Sequence, residues 1–271
     1  NACVEVDGSA YWMSENGFFR YAGKLESLPC LVEDHVYDNI NLESGNQMVS
    51  AGLNNLFGEV IWFYPTTGSS VVNKMVAYNY FDSSRERPVW TNGTLARTMW
   101  EDSAVFGKPH ALEYSASVDT SFDVVGNTEG STIYYEHETG TDQVQGGTTT
   151  AITANISSGD FDITQQTTRG GQSTGVATFR GDGEFLMKIR RFIPDFISQT
   201  GNTQVTLQLR NFPNDSQASS ALGPFTVSSS TQKVDTRARA RAIALKIENT
   251  AASQSWKLGT FRLDTQPDGR R

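Results

Sequence analysis

The run Thr236-Arg-Ala-Arg-Ala-Arg-Ala-Ile-Ala-Leu-Lys-Ile-Glu248 sets a large or charged side chain at every second position. A period of two sends successive side chains to opposite faces of a β-strand. Arg237, Arg239, Arg241, Ile243, Leu245 and Ile247 therefore share one face, and Ala238, Ala240, Ala242 and Ala244 share the other. The run predicts one strand that begins as a cationic ladder and ends as a core strand. Three like charges on one face repel unless acids, a partner chain or phosphate lie opposite them. A further strand is predicted over Trp256-Lys-Leu-Gly-Thr-Phe-Arg-Leu263, ahead of the closing Pro267-Asp-Gly-Arg-Arg271.

At 271 residues the chain can bury a substantial core in one or two domains. Thr, Ser, Gly, Asn and aromatic residues are plentiful, which favours strands and turns over helices. No segment approaches the ~18 consecutive apolar residues of a membrane span. The chain opens on Asn1 without Met and reads as a strand almost at once, which predicts a piece of a longer protein. Cys3 and Cys30 are too few for a disulfide framework and read as free thiols in a reducing setting. Residues 1–150 carry 7 Lys and Arg against 20 Asp and Glu, a net −13, whereas residues 151–271 carry 15 against 10, a net +5. Such polarity fits either an acidic surface beside a nucleic-acid face or two charged surfaces that meet in an assembly.

The expected fold class is all-β. In residues 1–150 aromatic-marked strands recur. Ala10 to Ser14 leads through Glu15-Asn-Gly17 into Phe18 to Tyr21, and Glu59 to Tyr64 precedes Lys74 to Tyr80. Val89-Trp90, Leu95 to Trp100 and Ser131 to Glu136 follow. Asn-Gly between two such runs is a strong hairpin signal. Antiparallel units at this rough spacing suggest blades of a β-propeller, with a generic sandwich as the other solution. Val32, Val36 and Ile40 fall four apart and predict a short helix or a loop with one helical turn. Residues 151–271 change style and predict a β-sandwich-like domain. It has a polar exposed loop at 165–180, strands over Glu184 to Pro194 and Gln204 to Arg210, and a loop over Asp215 to Thr226.

No cofactor fingerprint, HExxH or Gly-x-Ser-x-Gly motif occurs, and the expectation is no catalytic residue, no cofactor and no metal. Glu136, His137 and Glu138 with Asp142 could suggest a metal, but alternate residues of one strand cannot converge. A glycosidase pair would draw on acids such as Asp119, Asp123, Asp160 or Asp162, and no motif singles them out. Trp62, Tyr64, Trp90 and Trp100 could stack on sugars, though strand aromatics more often fill a core. The basic set, Arg190, Arg191, Arg210, Arg237, Arg239, Arg241, Arg262, Arg270 and Arg271, comes without a sequence-reading motif. It can contact phosphate or pair with carboxylates across a sheet or a subunit interface, and the second reading is preferred.

The blocks Tyr11-Trp-Met with Gly17-Phe-Phe-Arg-Tyr21, Glu59-Val-Ile-Trp-Phe-Tyr-Pro65, Val76-Ala-Tyr-Asn-Tyr80 and Gly93-Thr-Leu-Ala-Arg-Thr98 occur in that order. His137 to Asp142, Ser158 to Ile163, Arg191-Phe-Ile-Pro-Asp-Phe196, Val234 to Arg239 and Trp256 to Arg262 continue it. Together they resemble the tail-nozzle or tail-hub proteins of short-tailed bacteriophages, also called packaged-DNA stabilisation proteins. The resemblance spans nearly the whole chain, with the 165–180 segment as an insertion. It implies a non-enzymatic virion tail component arranged as a sixfold ring below the portal and its adaptor. Such a ring prolongs the DNA channel, helps to retain packaged genome, docks needle or fibre proteins and touches double-stranded DNA transiently and without sequence preference. Arg237, Arg239, Arg241, Arg190, Arg191, Arg270 and Arg271 are the assembly or DNA-channel candidates. The alternative is a carbohydrate-binding or glycoside-cleaving propeller.

Overall fold

The structure, a computed structural model, describes residues 2–43, 48–115, 131–163, 185–212, 214–215 and 220–269. The chain is almost wholly β, its strands pair antiparallel, and it divides into two compact units, Asn1–Thr139 and Gly140–Arg271. No helix among the described residues is long and apolar enough to cross a membrane.

The first unit holds three sheets, each built from strands consecutive in sequence. β1 (Cys3–Val6), β2 (Ser9–Ser14), β3 (Gly17–Tyr21) and β4 (Leu25–Leu28) form a four-stranded meander. Asp7-Gly8 closes the first hairpin with both residues at positive φ, the geometry a two-residue turn needs to follow strand twist. The next turn uses Glu15-Asn16, and Gly17 already pairs with Ser14. A short helix, α1 (Glu33–Tyr37), follows, with Val36 and Ile40 buried at the spacing the sequence predicts. β5 (Ser50–Asn54), β6 (Glu59–Tyr64), β7 (Lys74–Asn79) and β8 (Trp90–Gly93) make the second meander. β9 (Met99–Glu101), β10 (His110–Ser115) and β11 (Ser131–Glu136) form the third sheet, with β10 central.

β6 shows why these sheets stack. Its run Val60-Ile-Trp-Phe-Tyr64 is apolar at every position, as a strand buried on both faces requires. Val60, Trp62 and Tyr64 join Tyr11, Met13 and Phe18 of the first sheet in one core. Ile61 and Phe63 turn the other way into a second core, against Trp100 of β9. The second sheet is therefore the middle layer of three.

The second unit starts with the hairpin β12 (Asp142–Gln145) and β13 (Thr148–Ala151). The division of the chain thus falls ahead of this hairpin. β14 (Asn155–Ser157), β15 (Met187–Ile193), β16 (Phe196–Thr200), β17 (Thr203–Arg210), β18 (Ala221–Val227), β19 (Val234–Ala240), β20 (Ala242–Glu248), β21 (Ser255–Leu258) and β22 (Arg262–Pro267) follow. They form a sheet β14-β20-β17-β18, a sheet β19-β15-β22 and a pair β16-β21. Met187, Ile189, Ala238 and Ala240 of the second sheet share a core with Leu207 and Ile243 of the first.

Three sequence expectations are corrected here. The Arg–Ala run is two strands: β19 and β20 belong to different sheets, with Arg241 between them. The Trp256–Leu263 stretch is also two strands, broken where the Gly259 N–H donates to the Asp195 carbonyl at 2.8 Å. A Cβ on Gly259 would stand 3.0 Å from that oxygen. The expected loop from 215 to 226 contains most of β18, whose Gly223-Pro224 lies on an edge strand beside a register shift. There a missing N–H removes no ladder bond. The 165–180 segment, and Arg270 and Arg271, lie outside the described residues.

Candidate functional site

Cations and carboxylates converge on the outer face of the β19-β15-β22 sheet. In β19 Thr236, Ala238 and Ala240 are buried, while Asp235, Arg237 and Arg239 are exposed. The small side chains turn inward beside Met187 and Ile189, which lie opposite Ala240 and Ala238 on β15 and fill the same inner face. Past Arg241 the parity inverts, and Ile243 and Ile247 are buried. One continuous strand would put the guanidinium face and the isoleucine face on the same side. Changing sheets at Arg241 lets one be wet and the other dry.

β15 adds its own cations to this face. Its register shifts between Ile189 and Arg191 against both neighbours, which leaves Arg190 exposed at the irregularity. The Thr236 hydroxyl donates to the Ile189 carbonyl at 2.8 Å beside it. Residues directly opposite on adjacent strands share a face. Lys188 lies opposite Arg239 and Gln266, and Arg191 lies opposite Asp235 and Asp264. Arg262 of β22, two residues from Asp264, is exposed too. Among the described residues Lys188, Arg190, Arg191, Arg237, Arg239 and Arg262 thus meet Asp235, Asp264 and Asp268, and Lys233 reaches Asp235 at 3.6 Å.

Part of the face is neutralised within the chain. The Arg191 Nε lies 3.4 Å from Asp264 and 3.7 Å from Asp235, close enough for attraction but without hydrogen-bond alignment. Arg239 Nε donates to Asp268 at 2.5 Å. Exposed pairs of this kind contribute about 0–1 kcal/mol each. Among the described residues Arg190, Arg237 and Arg262 join no ion pair. Arg241 donates its backbone N–H to the Arg210 carbonyl, and the Arg210 guanidinium pairs with Asp160 at 2.8 Å.

The other nominated groups separate. Glu136 faces Lys108 at 3.5 Å, Glu138 accepts from Asn54 and His137 accepts from Arg97. No metal-holding cluster occurs among the described residues. Asp162 is buried, and Asp119 and Asp123 lie outside the described residues. Trp62 and Tyr64 are fully buried and turn no ring to solvent. Trp62, Trp90 and Trp100 each donate their indole N–H to a backbone carbonyl.

No family model and no curated protein matches this chain.

A second charged centre went unread in the sequence. Arg97 is only 5 % exposed, pairs with Glu113 at 2.8 Å and lies 3.8 Å over the Tyr135 ring. Its Nε donates to His137 Nε2 at 2.9 Å, so the imidazole is held neutral with its proton on Nδ1. Burial first, then the neighbouring Arg97 cation, pushes the His137 pKa down to about 4. Arg97 shares no periodic pattern with its partners, which come from β10, β11 and the residue that follows β11, and only long-range pairing brings them together.

Proposed function

We propose that this chain is a non-enzymatic structural component of a short-tailed phage virion, a subunit of the tail nozzle or hub. The observation that carries the reading is the cationic outer face of β19-β15-β22, set against the net −13 of residues 1–150. A chain with an acidic portion and a basic sheet face that its own carboxylates neutralise only in part is complementary to further copies of itself, and it suits ring assembly. The stacked meanders of the first unit read as consecutive propeller blades, and the paired sheets of the second as a sandwich. In this reading six copies form a ring below the portal adaptor, prolong the DNA channel and dock needle or fibre proteins. Acidic blades near the channel would let duplex DNA slide, since phosphate is repelled rather than gripped. Arg190, Arg237 and Arg262 would bind carboxylates of a neighbouring subunit, where bidentate pairing favours Arg.

Particle imaging tests the assignment directly. Density for this fold in a sixfold ring on the tail axis of a virion supports it. A closed, complete propeller that stays monomeric, or Arg237 pointing into an empty lumen, overturns it. Sedimentation gives a second arm: association weakens between about 0.05 and 0.5 M salt, as screening of surface charge requires. The triple change Arg190→Glu, Arg237→Glu and Arg262→Glu abolishes it.

A further inference from the structure

The hairpin β12–β13 is anchored at its root and bare along its length. Asp142 pairs with Ala151, Gln143 with Thr150, Val144 with Thr149 and Gln145 with Thr148, and no third strand joins this sheet among the described residues. The Asp142 carboxylate accepts from the Ser253 N–H at 2.8 and 2.9 Å. Just past β13, the side chain of buried Asn249 donates to the Ile152 carbonyl at 2.9 Å and accepts from the Ala154 N–H at 3.0 Å. Beyond that root every residue from Gln143 to Thr150 is exposed. A lone two-stranded hairpin buries little and is marginal in water, so it gains from any strand that joins it.

The turn decides which main-chain groups are open. Gly146 and Gly147 stand at φ 55° and 80°, as in the two-residue turn whose central residues both take positive φ. Across such a turn the closing pair, Gln145 and Thr148, exchanges hydrogen bonds, and non-bonded and bonded pairs then alternate. Val144 and Thr149 are therefore a non-bonded pair. Each turns its N–H and C=O away from the hairpin, Val144 at the β12 edge and Thr149 at the β13 edge. No main-chain group outside the hairpin bonds to either residue among the described residues. Edges that stay free are commonly protected by charges, prolines or bulges. From Gln143 to Gly159 the sequence has no charged residue and no proline, and the register from Asp142 to Ala151 is unbroken.

We infer that this hairpin is an assembly arm, which pairs edge to edge with the same hairpin of a second copy of this chain, β13 of one copy against β12 of the next. The direction fits, because strands that alternate β12, β13, β12, β13 are antiparallel at every step, as they are within the hairpin. Each hairpin carries both complementary edges, with open positions at every second residue of each, so the matching partner is the hairpin itself. Twofold pairing of β12 with β12 would cover one edge per copy and leave the other bare. Repeated β13-to-β12 pairing covers both edges in every copy once the series closes. The arm is a different part of the chain from the cationic sheet face, and the inference does not rest on the virion reading.

Proline at a position whose N–H points outward tests this without breaking a bond inside the hairpin. Val144→Pro closes the β12 edge and Thr149→Pro closes the β13 edge. Pairing over four-residue strands is weak by itself, so molar mass is read by small-angle X-ray scattering at about 0.5 mM chain and about 0.5 M salt, where charged contacts are screened. The parent protein is expected to associate, with slowed hydrogen exchange at the Val144 and Thr149 amides. Either proline change lowers the association constant roughly tenfold or more, and Val144→Lys or Thr149→Lys, which puts a charge on the edge, lowers it likewise. An equimolar mixture of the two proline variants recovers a dimer and goes no further, because the open β13 edge of one meets the open β12 edge of the other. Far-ultraviolet circular dichroism and a melting curve show that the variants are folded. A parent protein that stays monomeric under these conditions overturns the inference. So does association that leaves the two amides unprotected, a folded edge variant that associates like the parent, or a mixture that remains monomeric. Charge reversal on the sheet face leaves this contact in place, so the two readings fail separately.

Discussion

At the scale of single residues the first unit depends on a polar contact inside an apolar setting. Arg97 is desolvated and needs acceptors, and it finds Glu113, the Ala96 carbonyl and neutral His137. Protonated His137 could not accept from Arg97 and would set two cations side by side. Its pKa is lowered in the fold, from 6.5 to about 4, so the contact contributes fully above pH 6.5 and is lost as pH falls toward 4. Chemical unfolding followed between pH 7 and pH 4 should show a loss on the order of 2 kcal/mol, smaller than the full shift implies because solvent screens the half-buried ring, and a His137→Asn variant should not show it. Equal acid sensitivity in both proteins would remove His137 as the cause. Trp100 packs on this histidine at 4.6 Å between ring centroids, and Gly52 makes room for it. A Cβ at Gly52 would stand 2.5 Å from the indole, so Gly52→Ala should destabilise the first unit by about 2 kcal/mol despite adding one methyl group. A melting temperature equal to that of the parent protein would contradict this.

At the scale of elements, alternation in β19 separates two kinds of position one residue apart. Ala240 is fully buried between the sheets and Arg237 is exposed. Ala240→Leu should therefore destabilise by about 1–3 kcal/mol through overpacking, and Arg237→Ala should stay within about 0.5 kcal/mol. Urea unfolding of the two variants measures both, and the reverse ranking would mean that the strand faces the other way. This alternation was legible in the sequence, as were α1, the hairpins β2–β3 and β6–β7, and the inward Val205 and Leu207. Local pattern carries such features because each depends on neighbours a few residues away. The breaks at Arg241 and Gly259 were not legible. Both are decided by which distant strand is reached next, and a period of two runs unbroken through each. β18 was hidden for a different reason: its Gly223-Pro224 reads as a loop, and only an edge position makes it tolerable. The outer cationic face was half legible. Arg237 and Arg239 could be placed on one face from spacing, but Asp264 and Asp268 join them through the pairing of β15 with β22 and the local fold around Arg239.

At the scale of the whole molecule, the chain holds two compact units with separate cores. Residues 1–139 bury two cores around β6, and residues 140–271 bury two others around β15 and β17. Each unit has its own hydrophobic driving force, so unfolding need not be a single cooperative event. The tryptophans allow the units to be watched separately. Trp12, Trp62, Trp90 and Trp100 lie in the first unit and Trp256 in the second. In a Trp256→Phe variant, indole fluorescence reports the first unit alone, while circular dichroism reports both. Two thermal transitions are expected by circular dichroism, of which fluorescence follows one. Lowering the pH from 7 to about 4.5 should bring the fluorescent transition down by several degrees, because His137 lies in that unit, and shift the other less. A single transition seen identically by both probes at every pH would show that the units unfold together, and the two-core description would then fail as an account of stability.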